Sequence, residues 1–392
     1  SAAAGALGGM APAATGTPEE SAVDLVRTIA SANQLSTISW ASADLLCRLH
    51  RDASSVPQMA TGVIVRKLED LGGAGAIEGA PAWRPPTQGR PLQAKEVLGG
   101  GAALAAVHQQ MSGEELEAAS ALLALLLDLL RLRPEASGEL RDELMQPADA
   151  GPCCLWCFLR IFASDARELL GGGAFVHACH LIAMLAEGDE PLCSALRHSR
   201  LLDLVADRLL RATSEARQED LGTEWLPFAT AATHLLDILI TAEDAASLKL
   251  ENPAFYQPAW SMGEKPNTIV DALVSALSRS LLLERGCMVA QPLHLSGLRA
   301  LGHVAKLARN TGQQGLRMLQ CQGAELGVAV LNTPHADEEA VYTAVHFLMQ
   351  VAVYTRSPLL GKRLEAAGAI AAATKAAERY PRSQRINDDV QR

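Results

Sequence analysis

Eight cysteines and ten histidines give this chain its widest chemical reach. The densest grouping is Cys153, Cys154 and Cys157, followed by His177, Cys179 and His180. Cys154 and Cys157 form a CxxC pair, and a protein-bound zinc ion asks for four nitrogen or sulfur ligands. Two observations weigh against a metal. Cys153–Phe162 is an apolar run in which thiols pack as small hydrophobes. His177 and His180 lie three apart and share a helix face, while Cys179 projects elsewhere. No metal ligand is assigned, and a metal-stabilised helical protein is kept as an alternative. A Cys/His hydrolase needs one thiol activated by an imidazole that a third group orients. Nothing singles out such a triad, so no catalytic residue is assigned and the chain is read as non-enzymatic.

The remaining charged and glycine-rich clusters fit structural roles. Gly99–Gly101 and Gly171–Gly173 are not followed by Gly-Lys-Ser/Thr and do not follow a strand, so they read as helix breaks and no cofactor is assigned. Glu114-Glu115, Asp189-Glu190, Glu243-Asp244 and Asp337–Glu339 sit near helix ends, where a carboxylate complements the macrodipole. Arg197, Arg200, Arg208, Arg211 and Arg217 cluster in sequence and read as a solvated helix face. A formal net charge of −10 argues against nucleic acid or an anionic membrane as partner. No apolar run reaches the ~18 residues a membrane span needs, so no membrane insertion is expected.

The elements that would position these residues are helices. Apolar residues recur at three-and-four spacing in Ser42–Arg51, Pro57–Leu71, Glu114–Leu132, Phe175–Ala186, Leu201–Ala212, Trp225–Ala242, Thr268–Leu283, Leu293–Ala308 and Glu338–Tyr354. Strand alternation is absent and aromatics make up only 4%, so the fold class is all-α, with about 15 to 20 helices for this length. The organisation expected is a flexible lead-in at 1–17, irregular N-terminal helical repeats at 18–249 with a loop at 72–91, a linker loop at 250–266, and C-terminal repeats at 267–392. Cysteines spread thinly over 392 residues point to reduced thiols, hence to a reducing intracellular compartment such as the cytoplasm. The Gly/Ala start and the unfinished pattern at the end lead us to expect a processed chain or a fragment.

Internal repetition is visible. Leu307–Asn310, Gly315–Leu319, Gly323-Ala324 and Leu326–Leu331 align without a gap onto Ala352–Thr355, Leu360–Leu364, Gly368-Ala369 and Ile370–Ala377, at an offset of 45 residues. The unit is a long helix, a break, a short helix ending at Gly-Ala, then another helix. Leu181–Glu187, Leu192–His198 and Leu201–Leu210 keep that order, and Leu126–Leu132, Gly138–Met145 and Cys153–Phe162 form a looser copy. The unit resembles the armadillo/HEAT family: Leu364-Glu-Ala-Ala-Gly-Ala-Ile370 looks like the family's junction, and Gln320–Ala324 is a degenerate version. The resemblance implies a right-handed α-solenoid whose concave groove holds a partner. Asn310 is matched by Thr355 rather than by a second Asn, which departs from the asparagine ladder of nuclear-import adaptors. Trp225-Leu-Pro227 followed by Leu235-Leu-Asp237 is also similar to a helical segment of giant HECT-type ubiquitin ligases, whose N-terminal halves are armadillo-like scaffolds.

The function expected is therefore a protein–protein interaction scaffold or adaptor, a subunit or fragment of a larger assembly, with one or more proteins as partners. The alternative drawn from the second resemblance is a substrate-recruiting or regulatory region of a ubiquitin ligase. The candidate partner-binding residues are Phe255, Tyr256 and Trp260 in the proline-rich loop, since loop aromatics are enriched at interface hot spots. Polar positions of two groove helices complete the set: His303, Lys306 and Asn310, and Tyr342, His346 and Gln350.

Overall fold

The computed structural model describes residues 18–56, 58–72, 111–145, 154–164, 173–198, 201–215, 225–240, 269–282, 287–308, 322–333, 336–354 and 358–392. Among them the chain is all-helical, with no strand. In chain order the helices are α1 (Pro18–Ser31), α2 (Leu35–Arg51), α3 (Ala60–Gly72), α4 (Gly113–Leu132), α5 (Ala136–Met145), α6 (Cys154–Ala163), α7 (Ala174–Ala186), α8 (Glu190–His198) and α9 (Leu201–Glu215). They continue with α10 (Trp225–Ile240), α11 (Ile269–Leu281), α12 (Cys287–Ala308), α13 (Gly323–Leu331), α14 (Glu338–Tyr354), α15 (Pro358–Ala366), α16 (Ala369–Arg379) and α17 (Gln384–Gln391).

Local chemistry sets several boundaries. Ser112 and Glu115 form a reciprocal capping box at the start of α4, with Ser112 N–H donating to Glu115 Oε2 at 2.8 Å. The Asp337 carboxylate accepts from Ala340 N–H at 2.8 Å, and Asp189 from Leu192 N–H at 3.0 Å, so these two of the expected acidic clusters cap their helices, while Glu243-Asp244 lies outside the described residues. The α14 bounds match the periodicity, but α12 begins at Cys287, ahead of the apolar run, and carries Pro292 inside. An interior proline costs about 3 kcal/mol, and packing of α12 against α10, α11 and α14 overrides it. The Gly-Ala junctions differ in detail. Gly368 holds the left-handed turn before α16 at φ 74°, whereas before α13 that turn falls on Gln322, at φ 62°, and Gly323 is already helical.

The helices pack as two rows. Consecutive neighbours in the first row are α2, α4, α7, α10, α12, α14 and α17; in the second they are α1, α3, α6, α9, α11, α13 and α16. Each second-row helix also packs on the first-row helix that follows it in the chain. The short helices α5, α8 and α15 precede α6, α9 and α16, so the order long, short, next helix recurs in α4–α5–α6, α7–α8–α9 and α14–α15–α16. The core between the rows is continuous. Phe162 of α6 meets Phe175 of α7 edge-on at 5.2 Å, and Phe175 stacks on Phe228 of α10 at 4.0 Å, tying successive helix pairs together.

Buried and partly buried cations stitch the second row. The last carbonyls of a helix lack intrahelical partners, and here a basic side chain of the next helix supplies them. Lys67 Nζ of α3 donates to Ala32 O, just past α1, at 3.2 Å. Arg160 of α6 donates to Leu71 O at the end of α3. Arg208 of α9 donates through Nε to Phe162 O at 3.0 Å and through Nη2 to Ala163 O, at the end of α6. Arg279 of α11 donates to Thr213 O of α9 at 3.0 Å and lies over the Trp225 ring at 4.8 Å. This corrects one expectation: Arg208 is not on a solvated face but 6% exposed inside the second row. Helical periodicity groups it with Arg211, but only the neighbouring α6 terminus shows that it points inward.

Candidate functional site

The side of the first row turned away from the core carries polar groups from α2 through α14. On α2, Trp40, Cys47 and His50 lie opposite the buried stripe of Ile38, Ala41, Leu45 and Leu49. His50 Nε2 meets Asp128 Oδ2 of α4 at 2.7 Å, and Arg131 donates to the other oxygen of that carboxylate at 2.8 Å. On α7, His177 Nδ1 lies 3.1 Å from the Ser120 carbonyl of α4. His180 follows one turn on, beside His234 of α10.

The centre of the face lies on α10 and α12. Asp237 Oδ2 is 3.9 Å from Arg299 Nε, and Asp237 Oδ1 is 3.9 Å from His303 Nε2. Burial pushes the Asp237 carboxyl up to about 7, against the opposing pull of Arg299. His303 is pushed down to about 4 by burial first, then by the charges of Lys306, His346 and Arg299. His180 and His234 are also lowered, by burial and then by neighbouring cationic groups, although Glu187 pulls His234 the other way. These imidazoles are therefore held neutral at pH 7, each offering one donor and one acceptor.

At α14 the candidate residues form one network. His346 Nδ1 contacts Asp389 Oδ2 of α17 at 2.8 Å, and Gln350 Nε2 lies 2.9 Å from His346 Nε2. The contacts fit a ring that donates from Nδ1 to the carboxylate and accepts the Gln350 amide at Nε2. Tyr342 stacks on the His346 ring at 5.5 Å and carries the Arg385 guanidinium 4.4 Å above its own ring. Gln350 lies against the backbone of α12: a Cβ added at Gly302 would sit 2.1 Å from its Oε1. A side chain at that position would displace the Gln350 amide from this seat.

Of the residues singled out by sequence, the structure brings His303, Tyr342, His346 and Gln350 onto one face, with Lys306 charge-coupled to His303. Phe255, Tyr256, Trp260 and Asn310 lie outside the described residues. His180, His234, Asp237 and Arg299 were not singled out as groove residues. Their signal was spacing: Arg299, His303 and Lys306 recur four and three apart, as His234 and Asp237 do three apart. The CxxC neighbourhood divides instead. Cys157 and Cys179 are fully buried and their thiols are raised, Cys157 to about 12, while His177 and His180 face outward. Among the described residues, no group of three or more His, Cys, Asp or Glu could hold a metal ion, and no helix is long and apolar enough to cross a membrane.

No family model, no curated protein and no solved structure matches this chain.

Proposed function

We propose that this chain is a right-handed α-solenoid of armadillo/HEAT-like repeats that acts as a non-catalytic scaffold or adaptor. Its partner is a protein that lies along the polar face of the first row. The observation that carries the reading is that, among the described residues, α4, α7, α10, α12 and α14 each contribute polar groups to the outer side of the first row. Stacked repeats build such an extended surface because each unit contacts only its neighbours. The groups on it offer hydrogen bonds spaced helix by helix, which suits a long ligand rather than a small molecule.

The test is affinity capture from a native extract, followed by crosslinking mass spectrometry. One bait is the unaltered chain; a second carries His303→Ala and Gln350→Ala; a third carries Phe255→Ala, Tyr256→Ala and Trp260→Ala. A stoichiometric partner crosslinked to α10–α14 and lost from the second bait is the expected result. A partner lost only from the third bait would move the contact to the proline-rich loop. Absence of any stoichiometric partner from every bait would sink the scaffold reading.

A further inference from the structure

The polar face is not uniform in its chemistry. From α7 to α12 it gathers His180, His234, Arg299, His303 and Lys306. Lys306 is exposed and has no ion-pair partner among the described residues. Arg299 is half exposed and only 3.9 Å from Asp237. Among the described residues, the acidic groups facing this cluster are Glu187, beside His234, and the largely buried Asp237. Asp128, farther along, already serves His50 and Arg131. In a chain of formal charge −10, this stretch is therefore near neutral at pH 7 and rich in groups that can become positive.

The spread of these groups distinguishes between anions. A phosphate dianion asks for several donors converging on one point. Here the positive and protonatable groups are distributed over three helices, one step apart. Each helix-to-helix step of about 8–10 Å spans about three residues of extended chain. We propose that the face of α7, α10 and α12 docks an extended acidic segment of the partner protein. Carboxylates at about every third residue would sit on His180, His234 and Arg299, one per helix, while Lys306, two turns on from Arg299 along α12, adds a second positive charge beside the last of them. This rests on the scaffold reading above and names the chemistry of its partner.

Proton uptake follows from the same geometry. His180 is faced by Arg131 of α4, His177 of its own helix and His234 of α10; His234 is faced by His180 and Glu187 from α7, Arg299 from α12 and Asp237 on its own helix. A docked carboxylate offsets the cationic neighbours and raises both imidazoles. The sign is that groups neutral in the free protein bind protons in the complex, so affinity rises as pH falls. Asp237 acts in the same direction, because it loses its charge on the acid side of about 7. Glutamates of the ligand stay ionised at pH 6, well above their ordinary value near 4.3.

The experiment is fluorescence anisotropy at physiological salt, with the full chain and a labelled peptide carrying Glu at every third position between Ser and Gly. Companion peptides carry Lys or phosphoserine at the same positions. The expected result is preference for the Glu peptide over both, with affinity rising from pH 7.5 to pH 6.0, by at most about tenfold per pH unit for each proton taken up. Lys306→Glu should weaken binding at least tenfold, whereas His234→Gln should flatten the pH dependence. The pair Arg66→Glu with Lys375→Glu, both exposed on second-row helices, should leave binding unchanged. Melting curves confirm that each variant folds. Equal binding of the Glu and Lys peptides, preference for phosphoserine, or insensitivity to Lys306→Glu would overturn the proposal. If a captured partner still crosslinks to α10–α14 under those outcomes, the scaffold reading stands and only the acidic chemistry is wrong.

Discussion

The seams between neighbouring helices are built in two ways along the chain. From α1 to α11, a lysine or arginine reaches back from each second-row helix into the carbonyls that end the one before: Lys67, Arg160, Arg208 and Arg279. From α13 to α17, the links are more exposed. Arg363 pairs with Glu325 at 3.3 Å, Arg385 with Glu339 at 3.2 Å, and His346 with Asp389 at 2.8 Å. Burial follows the same division. Among α17 residues only Ile386 is fully buried, α16 buries three alanines, and Ile370 is 73% exposed. Ion pairs in water contribute about 0–1 kcal/mol, whereas charged hydrogen bonds in a core contribute about 1.5–3. The difference teaches that a helical array need not be evenly stable. The N-terminal rows are cross-tied at helix termini, and the C-terminal helices should open at lower free energy.

Several measurements would break or sharpen this contrast. Phe175→Ala removes the ring that joins three helices and should cost about 3–5 kcal/mol of global stability in urea unfolding. Arg208→Met leaves the end of α6 uncapped and should cost about 2–4 kcal/mol. If Arg208→Met proves neutral, the cap is decorative and the contrast fails. Ile386→Ala should release α17 at a local cost of about 2 kcal/mol. Hydrogen exchange at 384–391 should accelerate while the main unfolding midpoint barely moves; a global loss would show that both regions unfold as one. Asp389→Asn, which weakens a partly exposed contact, should cost under about 1 kcal/mol, read by the same exchange experiment.

The pH dependence between about 4 and 8 centres on α10 and α12, which carry Asp237, His294 and His303. Asp237 is raised to about 7, so folding retains its proton and its contribution falls as pH rises from about 4 to 7. His294, buried against Ser280, and His303 are both lowered to about 4. They favour the unfolded chain below the ordinary imidazole value of about 6.5, so stability rises with pH across that interval. Asp237→Asn should therefore stabilise the protein at pH 8, by about 1 kcal/mol, and lose that advantage near pH 5. Melting temperatures at the two pH values check the sign.

What the sequence determined by itself was the helical content and much of the repeat order. Apolar spacing is a local property, so the bounds of α14 and the order long, short, next helix at 181–210 and 126–162 can be read without any tertiary contact. Asp337 and Asp189 were legible as caps because a cap is satisfied within its own turn. The candidate groove residues His303, Tyr342, His346 and Gln350 were legible as one polar stripe per helix. Spacing along one helix could not decide which stripes meet. It missed that Arg208 points into the α6 terminus, that Gln350 needs Gly302, and that His180, His234, Asp237 and Arg299 join the same face. Each of those depends on a neighbour tens of residues away in the chain. Only packing, which brings one helix end against another's side chain, settles where a charge is buried and where it meets solvent.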